Sequence, residues 1–116
     1  MKRILTIQDI SCVGKCSLTV ALPIISAQGI EACILPTALL STHTGFKNFT
    51  FCDLTDEFDA VTQVWHKENI KFDGIYTGFL GSFSQLELIE KIFNEFSGSA
   101  PLILVDPCMG DNGKLY

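Results

Sequence analysis

The 116-residue sequence lacks any run of lysine or arginine residues, and its formal net charge is −5. Binding to a nucleic-acid backbone draws on clustered basic side chains, so the composition gives no basis for a nucleic-acid partner. No stretch reaches the ~20 consecutive apolar residues that a membrane span needs. The N-terminal apolar run is short and is interrupted at Asp9, which is atypical of a signal peptide. A cytoplasmic protein without a membrane partner is expected.

Two common motifs are also missing. The five cysteines, an odd number, form no Cys-x-x-Cys pair, which predicts reduced thiols. The Gly-x-x-x-x-Gly-Lys-Ser/Thr phosphate loop does not occur, and Gly14-Lys15 alone is a weak signal for anion binding. Neither a zinc site nor a P-loop nucleotide site is therefore predicted.

What the sequence does contain is an alternation of short β-type runs with segments of helical periodicity. The predicted strands are residues 3–8, 31–36, 73–77 and 102–105. The predicted helices cover residues 15–28, a segment capped by Asp53 that ends near Asn69, and a segment that starts from a capping box of Ser84 and Glu87. This order predicts an α/β fold, a doubly wound and mainly parallel sheet with flanking helices.

Ligands of open parallel sheets bind where the strands end, so the residues that follow each predicted strand are site candidates. Asp106 and Asp111 place two carboxylates in one Gly- and Pro-containing loop, a pattern suited to a divalent cation that bridges nucleotide phosphates. The alternative is that one carboxylate caps the turn and the other is solvated. His43 is suited to donating to, or stacking on, a heteroaromatic ring, and the alternative is a structural histidine.

Four motifs follow one another along the sequence. These are Thr6-Ile7-Gln8-Asp9 with Ser11 and Val13-Gly14, then Ser41-Thr42-His43-Thr44-Gly45-Phe46, then Tyr76-Thr77-Gly78-Phe79-Leu80-Gly81, then residues 105–113 from Val105 to Gly113. In this order and register they resemble pyridoxal kinases of the ribokinase superfamily, and the resemblance extends over essentially the whole sequence.

The resemblance implies a ribokinase-like homodimer that phosphorylates the 5′-hydroxymethyl group of pyridoxal, pyridoxamine or pyridoxine. ATP and Mg²⁺ are the implied cofactors, with a monovalent cation as a further candidate. The implied contacts with the vitamin are Asp9, Ser11, Val13, Gly14, His43, Thr44 and Phe79. Asp106 and Asp111 resemble the family residues of the nucleotide and metal region.

One family element is not found in these 116 residues. Ribokinase-type kinases carry a late Gly-x-Gly-Asp turn, whose amides form an anion hole and whose aspartate is the catalytic base. Residues 1–116 are thus expected to be the N-terminal part of such a domain, with no catalytic residue of their own and no kinase activity alone. The alternatives are a hydroxymethylpyrimidine (phosphate) kinase, and a non-catalytic half-domain that acts through binding or oligomerisation.

Overall fold

The computed structural model describes residues 1–80 and 82–115, and its central feature is a five-stranded sheet in the order β3-β2-β1-β4-β5. β3 is antiparallel to β2, and the other neighbours are parallel. A two-stranded hairpin of β6 and β7 follows. The elements are β1 (Arg3–Val13), α1 (Leu18–Ala27), β2 (Glu31–Thr42), β3 (Phe51–Asp53), α2 (Phe58–Lys67), β4 (Gly74–Thr77), α3 (Phe83–Phe96), β5 (Leu102–Val105), β6 (Gly110–Asp111) and β7 (Lys114–Leu115).

The chain reverses its direction of travel across the sheet after β2. β1 and β2 are neighbours, whereas the next parallel strand, β4, lies on the other side of β1. Because crossovers between parallel strands are right-handed, this reversal places α1 on one face of the sheet and α2 with α3 on the other. The predicted doubly wound, mainly parallel architecture is confirmed.

The main core lies between the sheet and the α2–α3 pair. Strand residues Leu5, Ile7 and Ile75 are almost fully buried there and pack with residues of both helices. Trp65, Phe72 and Phe96 form an edge-to-face aromatic cluster, with ring centroids 5.3 Å apart for Trp65–Phe72 and 5.2 Å for Phe72–Phe96. This cluster fixes α2 against α3 at the amino-terminal end of β4.

The predicted boundaries of the first two strands are wrong. β1 was predicted to end at Gln8, but it continues to Val13, which pairs with Thr42 of β2. β2 was predicted to end at Pro36, but it continues to Thr42, and β3 then pairs with it. Pairing between the two strands extends both into polar residues, since a sheet position depends on its neighbours more than on intrinsic propensity.

Two predicted caps are also corrected. α3 begins at Phe83 after an extended Ser82, so Ser84 lies inside the first turn and no side-chain capping bond forms. The Asp53 carboxylate accepts hydrogen bonds from the Thr55 amide (2.7 Å) and hydroxyl, and these bonds lower the pKa of Asp53. They stabilise the single 3₁₀ turn Thr55–Glu57 that precedes α2, so Asp53 does not cap α2 itself.

β5 forms one edge of the sheet and is poorly covered. Its four apolar residues are 38–61% exposed, although parallel strands in this class of fold are normally covered on both faces. The other terminal elements of the described chain, β6 and β7, are exposed as well. The sheet therefore presents an apolar strand with an unpaired edge.

Replacing Phe72, which is 2% exposed, with alanine is expected to lower the free energy of unfolding by about 3–5 kcal/mol, because the aromatic cluster would lose its central ring. Urea unfolding followed by circular dichroism measures this loss. Phe83→Ala is the matched control, since Phe83 is 88% exposed and its loss should change stability by no more than about 0.5 kcal/mol. Equal effects of the two substitutions would contradict the assigned core.

Candidate functional site

The candidate site lies at the carboxyl ends of the parallel strands, near the point where the strand order reverses. β1 pairs with β4 only as far as Ile7 opposite Thr77, but with β2 as far as Val13 opposite Thr42. At about 3.3 Å per residue, β1 and β2 extend about 20 Å beyond the end of β4. This projecting part of β1 and β2, residues 8–13 and 36–42, is called the ribbon below. The step beside it is a crevice of the kind in which α/β sheets bind ligands.

Two cavities lie at the carboxyl ends of the strands. Cavity A, about 470 Å³, lies between α1 and the strand ends, and its lining includes Gln8, Cys16, Val20, Ile24 and Tyr76. Cavity B, about 700 Å³, lies beside the start of α3 and is lined mainly by apolar residues that include Leu80, Phe83, Leu86, Val105 and Met109. Gly78, Phe79, Asp106 and Cys108 line both cavities, so the segments after β4 and β5 separate one cavity from the other.

A close approach between β1 and the segment after β4 shapes the crevice. The Gly78 amide donates to the Ile7 carbonyl (3.1 Å), and the buried Gln8 side chain donates to the Thr6 hydroxyl (2.8 Å). A Cβ on Gly78 would lie 2.8 Å from the Gln8 Cδ and Oε1 atoms. A larger residue at position 78 would therefore force the Gln8 side chain to shift.

At the far end of the ribbon, β1 and β2 hold His43 in place. The His43 amide donates to the Val13 carbonyl (3.2 Å), and the Gly45 amide donates to His43 Nδ1 (3.0 Å). A neutral His43 ring then carries its proton on Nε2, because Nδ1 is an acceptor. Gly14 has φ +96°, and a Cβ at this position would overlap His43 Cδ2 and lie 2.9 Å from Nε2.

The predicted vitamin-binding residues divide into two groups. Phe79 lines both cavities, whereas Asp9, Ser11 and Val13 lie in β1 itself, in the ribbon. Ser11 is fully buried and accepts a hydrogen bond from the Cys16 thiol (3.4 Å). Gly14 and His43 lie at the end of the ribbon, and Thr44 follows them as an exposed residue. All of them share the carboxyl-terminal edge of the parallel strands, but the structure does not bring them into one cavity.

The two residues predicted for the nucleotide and metal region lie in different elements of the structure. Asp106 follows β5, its amide donates to the Thr77 carbonyl (3.0 Å), and it lines both cavities. Asp111 lies in the β6–β7 hairpin, where its carboxylate accepts from the Asn112 amide (2.8 Å). Among the described residues, no three histidine, cysteine or acidic side chains come together as a metal site. All five cysteines are free thiols, as the sequence predicted.

Gly81, the last residue of the third motif, and Tyr116 lie outside the described residues. None of the helices in the described part of the chain has the length and apolar content that a membrane crossing requires.

No protein-family model matches the chain. Among curated proteins, the pyridoxal kinase of Arabidopsis thaliana is 27% identical over 124 residues, covering 98% of this chain and 38% of that protein. The structure of the "putative phosphomethylpyrimidine kinase" of Bacteroides thetaiotaomicron, crystallised with pyridoxal, is 45% identical with a TM-score of 0.93, and the match covers 99% of this chain and 40% of that one. The pyridoxal kinase of Lactobacillus plantarum is 33% identical with a TM-score of 0.91, covering 100% and 41%.

By sequence and by fold, the chain is similar to pyridoxal kinases over 98–100% of its own length. It spans about two fifths of the length of these relatives. The resemblance found in the sequence motifs is thereby confirmed.

Three further polar residues lie in or near the crevice and were not predicted as site residues from the sequence. Gln8 and Cys16 line cavity A, and Gln85 is fully buried near Thr37. The available signal was a polar residue at a position where the surrounding pattern is apolar, as for Gln8 between Ile7 and Ile10. Such a residue predicts a buried polar contact but does not say with which element.

Gly14→Ala is expected to destabilise the chain more than Gly29→Ala and to displace the His43 ring. Both glycines have positive φ, so alanine costs about 1–2 kcal/mol at either position, but a Cβ at Gly29 meets no atom within 4 Å. The comparison therefore isolates the contact with His43. Urea unfolding gives the stability, and the His43 ring signals in NMR spectra report its displacement. Equal losses of stability with unchanged His43 signals would contradict this packing.

Proposed function

We propose that this chain forms the vitamin-binding part of a pyridoxal kinase, which transfers a phosphoryl group from ATP to the 5′-hydroxymethyl group of pyridoxal, pyridoxamine or pyridoxine. The observation that carries the proposal is the similarity to pyridoxal kinases in both sequence and fold over 98–100% of the chain. The 45% identical Bacteroides protein, which was crystallised with pyridoxal, supports the same substrate class.

In this proposal the vitamin ring lies in the crevice between the ribbon and the segment after β4. Asp9 and Ser11 contact the polar edge of the ring, and Val13 with Gly14 shapes the end of the pocket. His43 and Thr44 contact the ring from the ribbon tip, while Phe79 contributes an aromatic wall. Support comes from the shared sheet edge on which these residues lie and from the Gly45 amide bond to His43 Nδ1, which leaves Nε2 as the donor of a neutral ring.

We assign the nucleotide and Mg²⁺ to the region after β5 that contains Asp106 and Asp111. Mg²⁺ is commonly bound by one or two carboxylates together with substrate phosphates, which fits two exposed aspartates without a third protein ligand among the described residues. Bound Mg²⁺ would neutralise charge on the phosphates during transfer. A monovalent cation is assigned to the same region.

The remaining part of the enzyme is proposed to dock on the open side of the sheet. β5 has an unpaired edge and four partly exposed apolar residues, which suits a further parallel strand and a covering helix. In this proposal that part supplies the anion hole and the catalytic base, so residues 1–116 alone bind the vitamin without phosphorylating it.

The proposed kinase is a cytoplasmic homodimer. Its five free thiols suit a reducing compartment. Exposed apolar side chains on and near the ribbon offer a surface for a second copy, and these are Val13, Leu39, Phe46, Phe49 and Phe51.

A second candidate function is a hydroxymethylpyrimidine (phosphate) kinase. The name of the Bacteroides protein favours this activity, although its crystals contained pyridoxal. Both substrates are six-membered nitrogen heterocycles with a hydroxymethyl group, so one crevice of this shape can suit either.

Calorimetric titration of the purified chain is expected to detect saturable binding of pyridoxal and weaker binding of hydroxymethylpyrimidine. Ser11→Ala and Thr44→Ala should each weaken pyridoxal binding by about tenfold, because each removes a proposed hydrogen bond. Thr50→Ala, a substitution of an exposed threonine outside the proposed contacts, is the control. Tighter binding of hydroxymethylpyrimidine would select the second candidate.

Co-expression of the chain with the rest of the Bacteroides thetaiotaomicron protein is expected to give ATP-dependent phosphorylation of pyridoxal, whereas each polypeptide alone gives none. Strand addition at β5 would complete the sheet, and the partner would supply the catalytic base. A coupled assay of ADP release measures the rate, and size-exclusion chromatography with light scattering measures the assembly.

In the active assembly, Asp106→Asn should raise the Mg²⁺ concentration needed for half-maximal rate by about 10- to 100-fold. Asp56→Asn, which alters an exposed carboxylate in the 3₁₀ turn, should leave it unchanged. Phosphorylation of pyridoxal by the isolated chain would refute the proposal that the catalytic base lies in the rest of the enzyme. An inactive assembly together with self-association of the isolated chain would favour a non-catalytic, oligomerising role.

A further inference from the structure

β2 contains a bulge opposite Asp9 of β1. β1 advances from Gln8 to Ile10 while β2 advances from Pro36 to Leu39, so Thr37 and Ala38 both lie opposite Asp9. Thr37 is fully buried, and a buried carbonyl without a hydrogen bond is costly. The Thr37 carbonyl accepts from the Leu54 amide (3.1 Å) and from Gln85 Nε2 (3.0 Å).

Gln85 lies in the first turn of α3 and is itself fully buried. Its Nε2 group also donates to the Thr55 hydroxyl (2.9 Å) in the 3₁₀ turn before α2. An inward-facing position of a helix is usually occupied by an apolar residue. Burying the Gln85 amide there costs desolvation free energy, which its hydrogen bonds must offset. The amide joins the β2 bulge, the 3₁₀ turn and α3.

The same network reaches the crevice through Thr37. The Thr37 hydroxyl donates to the Phe79 carbonyl in a long hydrogen bond of 3.4 Å. Phe79 lines both cavities, so a shift of its backbone changes the wall between them. Gln85 thus influences the crevice, although it lines neither cavity in the described part of the chain.

We propose that Gln85 is a positioning residue that, by holding the Thr37 bulge, fixes Phe79 between the two cavities and so determines the affinity for the B6 vitamer. The expected effect on the affinity for the B6 vitamer rests on the proposed function, whereas the expected effect on the position of Phe79 does not. A residue that merely filled the core would be replaceable by leucine without consequence for the crevice.

The test uses the full chain with two variants, Gln85→Leu and Thr37→Val, each of which keeps side-chain size and removes hydrogen-bonding groups. Two matched controls are Ile92→Ala, a buried residue two turns along α3, and Thr62→Val, a buried threonine whose hydroxyl donates to the Phe58 carbonyl within α2 (2.9 Å). For each protein, pyridoxal affinity is measured by calorimetry, stability by urea unfolding, and deuterium uptake of the peptide containing Phe79 and Leu80 by mass spectrometry.

Both test variants are expected to weaken pyridoxal binding by about tenfold and to accelerate exchange around Phe79 beyond either control at matched stability. Unchanged exchange around Phe79 would overturn the inference, and so would accelerated exchange with unchanged pyridoxal affinity. If the unmodified chain does not bind pyridoxal, the proposed function fails separately, and the exchange comparison alone decides whether Gln85 positions Phe79.

Discussion

Strand β1 is paired on both sides, with β2 along its whole length and with β4 only along its first part, and this unequal pairing decides where the candidate site residues lie. Where β4 stops, the ribbon continues and leaves a step in the sheet. The segments after β4 and β5 turn into that step and separate cavity A from cavity B. A shorter β1 would have no projecting ribbon, and His43 would not be held beyond the ends of the other strands.

Burial is divided between an apolar region and a polar one. The apolar core under α2 and α3 contains Leu5, Ile7 and Phe96, whereas Gln8, Ser11 and Gln85 are equally inaccessible to solvent near the crevice. Buried polar groups lower stability unless they are hydrogen-bonded, so this end of the sheet depends on its hydrogen bonds more than the apolar core does. Gly14 and Gly78 also lie at this end of the sheet. Because they have no Cβ, the backbone at these two positions can approach the His43 and Gln8 side chains closely.

Elements with strong periodicity could be predicted from the sequence. The four parallel strands, the three helices and the β5 boundaries were predicted from apolar runs and helical spacing. Elements that depend on a distant partner could not: Asp9 and Ser11 lie beyond the predicted end of the first strand, but pairing with β2 makes them strand. In α3, Leu86 is half exposed, whereas Gln85 faces inward and reaches Thr37. No local pattern indicates that a glutamine will meet a bulge 48 residues away.

For the candidate site, the motifs named Phe79 and Asp106 correctly as residues at the strand ends, but they did not separate the ribbon from the cavities. The sequence by itself determined the alternation of strands and helices, and hence that the loops after parallel strands share one edge. The tertiary structure alone decided how far β1 and β2 project, which residues line the crevice, and what Gln85 contacts. These features depend on register and on long-range packing, and contacts between residues far apart in sequence leave no periodic trace in the chain.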